Sequence, residues 1–255
     1  MSLVGKRILI TRPEAQSSAF IQMLNNAHAV PIVFPTIAIE PISDNTALES
    51  ALSKLDAYDW AVFTSVNGVR LVLERMQSLG LKPAKLNSCR VAAIGPATAA
   101  ELQSRGIRVD LQPERYIAES IFESLVENGS IAGKRFLLLR ADIARATLRE
   151  QLSAKGGLVD EIAVYNTVKG NPDPESYAEL RAGVDIVTFT SSSTVRYFFE
   201  LLGSEALPLV RDALVACIGP ITAQTAQEFG LKVDLVAEEY TIPGLLKALS
   251  ERMSA

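Results

Sequence analysis

The chain is almost without histidine, with one such residue, His28, among 255. Histidine is the side chain best suited to acid and base chemistry near neutral pH, and it is a common zinc ligand. Acidic side chains do not cluster either, because Asp59 and Asp185 precede predicted strands and Glu14 stands alone. Histidine-dependent catalysis, two-carboxylate hydrolysis and a metal site are therefore disfavoured.

Cysteine is scarce as well, since the chain holds only Cys89 and Cys217. Cys89 lies at the start of a predicted strand and Cys217 near the end of another, so the two do not occupy equivalent places. This arrangement disfavours a disulfide or a shared metal site.

No run of lysine or arginine occurs, and the net charge is -4 at pH 7 with a pI near 5.3. Backbone phosphates are normally bound by a concentrated basic excess, so we expect no nucleic-acid partner. The first residues hold only a short apolar run around Ile8 to Ile10, far shorter than a signal-peptide core or a membrane span. We therefore expect a cytoplasmic protein with no membrane partner. Nothing in the sequence demands more than a monomer.

What the sequence does contain is an internal repeat, with the same motifs in the same order in both halves. The first half has GKRILITR, FTSVNGVR and AAIGPATA, and the second answers with GKRFLLLR, FTSSSTVR and ACIGPITA. The copies are separated by 128, 126 and 124 residues, measured from Gly5 to Gly133, from Phe63 to Phe189 and from Gly95 to Gly219. This regular spacing predicts a tandem duplication and two similar domains.

Short apolar runs rich in β-branched residues alternate with longer helical patterns in each half. In the first half, we predict strands over 7–11, 30–35, 60–64, 90–94 and 109–111 and helices over 16–26, 46–55, 67–78, 96–106 and 118–128. Such alternation is typical of strand–helix–strand units in a parallel sheet. The predicted fold class is therefore α/β with doubly wound parallel sheets, which bind ligands where their strands end.

Hydroxyl side chains end a predicted strand and open a helix at TSVNG (Thr64 to Gly68) and at TSSST (Thr190 to Thr194). One interpretation is helix capping, in which a side-chain oxygen accepts a free N–H group. The other is ligand binding, because the N–H groups of a helix start attract carboxylate or phosphate oxygens. Both can hold at the same place.

The motifs IGPAT (Ile94 to Thr98) and IGPIT (Ile218 to Thr222) raise the same two alternatives. Their glycines allow a ligand to approach the backbone, although close packing explains a glycine equally well. Two copies in register with the two hydroxyl motifs favour a paired anion site. The sequence lacks the patterns G-x-x-x-x-G-K-[ST] and G-x-G-x-x-G, which disfavours a nucleotide ligand.

Arg12 and Arg140 end the first predicted strand of each half, where each could bind a carboxylate or form an ordinary surface ion pair. Tyr165 has no hydroxyl-bearing counterpart, because Phe34 occupies the matching place in the first half. Tyr165 is either a reactive hydroxyl or an interface aromatic whose OH finds a partner.

Together these motifs resemble the uroporphyrinogen-III synthase family over essentially the whole chain. The resemblance rests on the order and spacing of ITRP, FTSVNGV, AAIGPATA, GKRFLLLRAD, YNT, FTSSSTV, CIGPITA and YTIPGL. It implies two similar flavodoxin-like domains joined by a two-stranded β linker. The implied ranges are 1–35 with 172–255 for the first domain, 40–164 for the second, and 36–39 and 165–171 for the linker.

The resemblance implies closure of the linear tetrapyrrole hydroxymethylbilane to uroporphyrinogen III, a lyase reaction of porphyrin and heme biosynthesis. Water is lost and the last ring, D, is inverted through a spiro-pyrrolenine intermediate in a cleft between the domains. No cofactor or metal takes part. The substrate is the expected partner, and transient contact with the preceding synthase of the pathway is left open.

Carried over by motif, Tyr165 is the expected catalytic residue, which assists departure of the hydroxyl as a proton donor or through a water. The expected substrate-binding residues are Thr11, Arg12, Ser65, Val66, Asn67, Gly68, Gly95, Thr98, Arg140, Ser191, Ser192, Gly219 and Thr222. A competing hypothesis is a non-catalytic two-domain protein that binds an anionic metabolite, which would leave Tyr165 without a role. A signalling receiver fold is disfavoured, because the predicted strand ends lack clustered aspartates.

Overall fold

The computed structural model describes residues 3–144 and 146–253. It divides the chain into two compact units, which we call unit 1 (Met1–Ala38 with Val168–Ala255) and unit 2 (Ile39–Thr167). None of the helices in the two described ranges is long and apolar enough to cross a membrane.

Strands and helices alternate along the described chain. The strands are β1 (Arg7–Ile10), β2 (Val30–Val33), β3 (Ile37–Pro41), β4 (Trp60–Phe63), β5 (Arg90–Ala93), β6 (Arg135–Ala141), β7 (Leu158–Lys169), β8 (Ile186–Phe189), β9 (Leu214–Cys217) and β10 (Leu235–Val236). The helices are α1 (Ser18–Asn26), α2 (Thr46–Ser53), α3 (Val66–Ser78), α4 (Pro96–Ser104), α5 (Ala118–Glu127), α6 (Thr147–Ala154), α7 (Pro174–Arg181), α8 (Ser192–Leu202), α9 (Ala206–Leu209), α10 (Pro220–Glu228) and α11 (Ile242–Arg252). Short 3-10 helices cover Glu14–Gln16, Leu55–Ala57, Pro83–Ser88 and Gly203–Glu205.

Unit 1 is built on a doubly wound sheet with the strand order β10-β9-β8-β1-β2 and parallel pairing throughout. Helices α1 and α11 cover one face, where Phe20 and Leu24 pack in one core with Leu245 and Leu249. Helices α7 to α10 cover the other face. Numbered by their order in the chain, the five strands lie as 2-1-3-4-5, which is the flavodoxin-like order.

Unit 2 is built on the sheet β3-β7-β6-β4-β5, in which the ladders from β7 to β5 are parallel. Helices α2, α3 and α4 cover one face, and α5 and α6 cover the other. Strands β4 and β5 come from the first half of the sequence, whereas β6 and β7 come from the second. Unit 1 likewise combines β1 and β2 with β8 to β10, so each unit takes strands from both halves.

Both units carry the same anchor at the amino ends of their central strands. In unit 2, Asp59 accepts hydrogen bonds from Lys134 Nζ and from the backbone N–H of the next residue, both at 2.8 Å. In unit 1, Asp185 makes the same two contacts with Lys6 and the residue that follows it, again at 2.8 Å. The hydrogen bond from each lysine holds the pKa of these two carboxyl groups below its usual value. These aspartates therefore belong to the framework at the end of the sheet opposite the predicted site.

The structure differs from the predicted elements at the sheet edges. The predicted strand 109–111 is reduced to a single bridge between Leu111 and Ala92, because an outer segment has a neighbour on one side only. The segment expected as a linker strand, 165–171, lies largely in β7, which runs to Lys169 between β6 and β3. Tyr165 therefore lies inside β7 and pairs with Ala141 of β6.

Candidate functional site

The hydroxyl and glycine motifs of the predicted site follow the carboxyl ends of parallel strands in both units. In unit 2, Ser65 comes after β4 and Gly95 after β5. In unit 1, Ser191 comes after β8 and Gly219 after β9. Parallel strands end at the same edge of their sheet, so each unit gathers its own set of motifs at one edge.

Ser65 connects β4 to α3 and contacts the predicted catalytic tyrosine. Its Oγ accepts the N–H of Gly68 at 3.0 Å, which confirms the capping interpretation. The same Oγ lies 2.9 Å from the hydroxyl oxygen of Tyr165. Val66 and Asn67, both half-buried, form the first turn of the helix beside this contact. The hydroxyl motif and the tyrosine, 100 residues apart in sequence, therefore meet in unit 2.

A β-bulge turns Tyr165 toward α3. The β6–β7 ladder pairs Arg140 with Ala163. It next pairs Ala141 with Tyr165, so Val164 is an extra residue. Consecutive strand residues normally point to opposite faces, but Val164 and Tyr165 both pack in the core beneath α2, α3 and α4. Bulges re-aim side chains in this way.

The environment of Tyr165 keeps its phenol protonated. Tyr165 is only 5% exposed, and this burial raises its pKa. Hydrogen bonds with the side chains of Ser65 and Asn67 lower this pKa, whereas the negative charge of Asp142 raises it further. Because burial is the largest effect, the phenol is neutral at physiological pH. It can donate a proton or a hydrogen bond to a ligand.

Helices α4 and α10 begin without a side-chain cap, at Gly95 and Gly219. A proline follows each glycine at the first helical position, where no N–H is needed. The remaining N–H groups of the first turn have no side-chain acceptor from the cap residue, which suits an anionic ligand. Thr98 and Thr222 lie on these first turns and are 4% and 5% exposed.

Close packing explains why the two cap residues are glycines. A Cβ atom on Gly95 would lie 3.2 Å from Cγ of Tyr116, and one on Gly219 would lie 3.3 Å from ring atoms of Tyr240. A larger residue would have to displace a tyrosine ring. Sequence reasoning did not select these two tyrosines, although they end the repeated segments VDLQPERY and VDLVAEEY.

In unit 1, the structural counterpart of Ser65 is Ser191. Its Oγ accepts the N–H of Thr194 at 3.2 Å and caps α8. Ser192 is already the first helical residue, and its Oγ accepts a hydrogen bond from Thr225 Oγ1 at 2.8 Å and donates to the carbonyl of Ile221 at 3.4 Å. The hydroxyl of Ser192 is thus engaged between α8 and α10.

Thr11, an expected substrate-binding residue, is fully buried. Its Oγ1 donates to the carbonyl of Thr188 at 2.8 Å. Its own carbonyl accepts the hydroxyl of Thr36 at 3.0 Å. Through this first hydrogen bond, the side chain links the chain after β1 to β8. Thr11 therefore has a structural role.

Arg12 lies after the end of β1 and has hydrogen-bonding capacity to spare. Within the described ranges its buried Nε has no hydrogen-bond partner, and its Nη2 donates to Gln16 Oε1 at 3.4 Å. Burial lowers the pKa of the Arg12 guanidinium. A carboxylate bound here would supply the missing counter-charge.

Arg12 and Arg140, which lie 128 residues apart, differ in their relation to the strands, because Arg12 follows the end of β1. Arg140 lies inside β6, because that strand continues to Ala141 beside the long β7. Its Nη1 is 2.9 Å from Glu161 Oε1, and the residue is 3% exposed. The alternation along β6 places Arg140 on the face opposite Leu139 and Tyr165.

The strand register also corrects the expected match between Phe34 and Tyr165. In unit 1, the β1–β2 ladder ends where Ile10 pairs with Val33. In unit 2, Leu138, which lies 128 residues after Ile10, pairs with Glu161. The residues that follow, Phe34 and Ile162, therefore correspond. Tyr165 lies farther along β7, beyond the point at which β2 ends, so its place has no equivalent in β2.

These features define a class: a two-unit parallel α/β protein that presents helix N-termini, hydroxyl groups and one protonated tyrosine at the carboxyl ends of its strands. A family model described as uroporphyrinogen-III synthase HemD matches residues 18–247. The uroporphyrinogen-III synthase of Synechococcus elongatus is 34% identical over 98% of this chain and 96% of its own length. That of Chlorobaculum parvum is 29% identical over 97% and 99%. The chain belongs to the uroporphyrinogen-III synthase family.

Solved structures confirm the predicted two-domain α/β fold. A mutant uroporphyrinogen III synthase of the extremely thermophilic bacterium Thermus thermophilus has a TM-score of 0.66 at 22% identity, covering 98% of this chain and 99% of its own. Uroporphyrinogen-III synthetase of Helicobacter pylori 26695 has a TM-score of 0.60 at 19% identity, covering 98% and 100%.

Proposed function

We propose that this chain closes hydroxymethylbilane to uroporphyrinogen III, with loss of water and inversion of ring D, as a lyase of porphyrin biosynthesis. Family membership supports the reaction. The structural observation that carries it is the contact between the hydroxyls of Tyr165 and Ser65 at the start of α3. A neutral, buried phenol at a strand end is suited to protonate a departing hydroxyl group.

In the proposed reaction, Tyr165 gives up one proton and regains one. The hydroxyl of the hydroxymethyl group takes the phenol proton, directly or through a water molecule, and leaves as water, while its methylene carbon stays on the ring as the cation. Hydrogen bonds with Ser65 and Asn67 then stabilise the phenolate. Ring D attacks the resulting cation, the spiro intermediate opens, and the ring closes again. The final closure releases a proton from a ring carbon, which restores the phenol.

The carboxylates of the substrate need cationic or N–H partners, although the protein carries a net charge of -4. The starts of α4 and α10 offer N–H groups without a side-chain cap. Arg12 offers a buried guanidinium whose Nε lacks a hydrogen-bond partner in the described ranges. Fields of this kind act at short range, so they bind an anion despite the overall charge.

The cationic intermediate requires that no strong nucleophile lie nearby. Both thiols are buried, and burial raises the pKa of Cys89 to about 11 and that of Cys217 to about 12. Thiols with such pKa values are almost fully protonated at neutral pH and react poorly. The two cysteines therefore do not threaten the intermediate with alkylation.

A coupled assay tests the proposal. The preceding synthase generates hydroxymethylbilane, the protein is added, the products are oxidised, and chromatography separates the type I and type III uroporphyrins. We expect predominantly type III product. Type I alone, formed at the rate seen without the protein, would overturn the proposal and favour a protein that binds an anionic metabolite without converting it.

A further inference from the structure

The bulge that turns Tyr165 interrupts the regular β6–β7 ladder, and one residue anchors the chain beyond it to the end of β6. That anchor is Asp142, the first residue after β6. Its backbone N–H donates to the carbonyl of Tyr165 at 3.0 Å. Its Oδ1 accepts the N–H of Thr167 at 2.9 Å. The two bonds enclose Asn166 and hold the backbone that directly follows Tyr165.

In unit 1, the chain that follows β2 is held by a backbone contact. The N–H of Thr36 donates to the backbone carbonyl of Thr11 at 3.1 Å, without a side chain in between. The β1–β2 ladder runs without a register shift. Glu14, which lies 128 residues before Asp142, belongs to a short 3-10 helix. The hydrogen bond from Thr167 to the Asp142 carboxylate therefore occurs in the unit that contains the bulge and Tyr165.

We propose that Asp142 is a positioning residue for the reaction proposed above. Its two hydrogen bonds to β7, which we call the clasp, keep the Tyr165 hydroxyl within hydrogen-bond reach of Ser65. A carboxylate oxygen suits this task, since it accepts the N–H of Thr167. Asp142 acts through the backbone of Tyr165. The inference rests on the proposed function of that tyrosine.

Two substitutions distinguish the hydrogen bond that Asp142 accepts from the charge that it carries. Asp142→Asn keeps an oxygen that can accept the N–H of Thr167, whereas Asp142→Ala removes it. We expect Asp142→Ala to lower kcat about ten- to a hundredfold, because a misplacement of about 1 Å can cost about a hundredfold. Asp142→Asn should stay within about threefold of the unsubstituted protein, since a retained hydrogen bond loses little. Equal losses in both variants would overturn the proposal, because the charge would then matter and the acceptor would not.

A double-mutant cycle shows whether Asp142 acts through Tyr165. Once Tyr165→Phe has removed the hydroxyl, Asp142→Ala should lower kcat little further, because residues that act through one another are strongly non-additive. A full additional loss in the Tyr165→Phe background would overturn the positioning role.

A spectroscopic measurement tests the clasp without any activity. In protein labelled with 13C at tyrosine Cζ, the Tyr165 signal is the one that Tyr165→Phe removes. We expect Asp142→Ala to displace this signal and Asp142→Asn to move it much less. An unchanged signal in Asp142→Ala overturns the clasp. A displaced signal in a protein that makes no type III product supports the clasp and rejects only the proposed function.

Discussion

Units 1 and 2 agree at the amino ends of their strands and differ at the carboxyl ends. Asp59 and Asp185 make the same two hydrogen bonds, at the same distances, before β4 and β8. At the other edge, Ser65 contacts Tyr165 in unit 2, whereas Ser191 contacts the neighbouring hydroxyl of Ser193 at 2.8 Å in unit 1. The amino edge holds the sheet together in both units. At the carboxyl edge, the tyrosine proposed to be catalytic lies in unit 2.

The largest effect that this difference predicts comes from Tyr165→Phe. Removing the only hydroxyl proposed to donate a proton should lower kcat about a hundredfold or more, since acid catalysis contributes about that much. The unfolding midpoint should change little, because the ring stays in place. Tyr177→Phe is the matched control in unit 1, where Tyr177 packs edge-on against Phe34 with ring centroids 5.0 Å apart. Undiminished activity in Tyr165→Phe would remove this tyrosine from the mechanism.

Substituting the two cap serines one at a time tests whether units 1 and 2 differ in their effect on the reaction. Ser65→Ala and Ser191→Ala each remove a helix cap and should each cost about 1 kcal/mol of unfolding free energy. Only Ser65→Ala should also lower kcat, by a factor of about ten, since one hydrogen bond to Tyr165 is lost as well. Denaturant unfolding and the product assay measure the two quantities. Equal effects on kcat would mean that both units contribute alike to the reaction.

The shared aspartate anchors predict equal and smaller effects on stability. Their pKa values are lowered in the folded state, so their contribution is complete above the usual aspartate pKa of about 3.9 and is lost as pH falls through the lowered folded value. Asp59→Asn and Asp185→Asn should each cost at most about 1 kcal/mol at pH 7, because both side chains are partly exposed to solvent. Urea unfolding at pH 7 and pH 3 checks this. A difference from the unsubstituted protein that grows at pH 3 would contradict the sign.

The smallest effect concerns the thiols, one in each unit. Because burial raises the pKa of Cys89 to about 11 and that of Cys217 to about 12, neither should react with a disulfide reagent at pH 8 while the protein is folded. Spectrophotometric thiol titration should show two groups only after unfolding. Rapid reaction of one thiol in the native protein would show that its unit opens.

The regular elements were predictable because they depend on local patterns. Helix α3 and strands β4 and β5 differ from their predicted bounds by one residue at most, since apolar periodicity and the hydroxyl or Gly-Pro corners are local signals. The edge segment 109–111 was not predictable in this way, because a strand there depends on a neighbour that the sequence pattern does not display.

The site was only partly predictable. The importance of Tyr165 followed from the resemblance, but its contact with Ser65 depends on a bulge that no local pattern announces. Thr11 and Arg12 are adjacent in sequence and were given the same role, yet Thr11 is fully buried and Arg12 keeps hydrogen-bonding capacity. Side-chain direction depends on strand register, which long-range pairing sets.

The sequence by itself determined the α/β class, the repeat, the strand-to-helix corners and the near absence of histidine, because periodicity, spacing and composition are written along the chain. Only the tertiary structure decided how the strands of the two halves pair within each unit, since the resemblance already implied that each domain draws on both halves. It also decided that Arg140 pairs with Glu161 and that Asp142 clasps the strand of Tyr165. These outcomes depend on contacts between residues distant in sequence, whose geometry is set when the sheets pair and the helices pack.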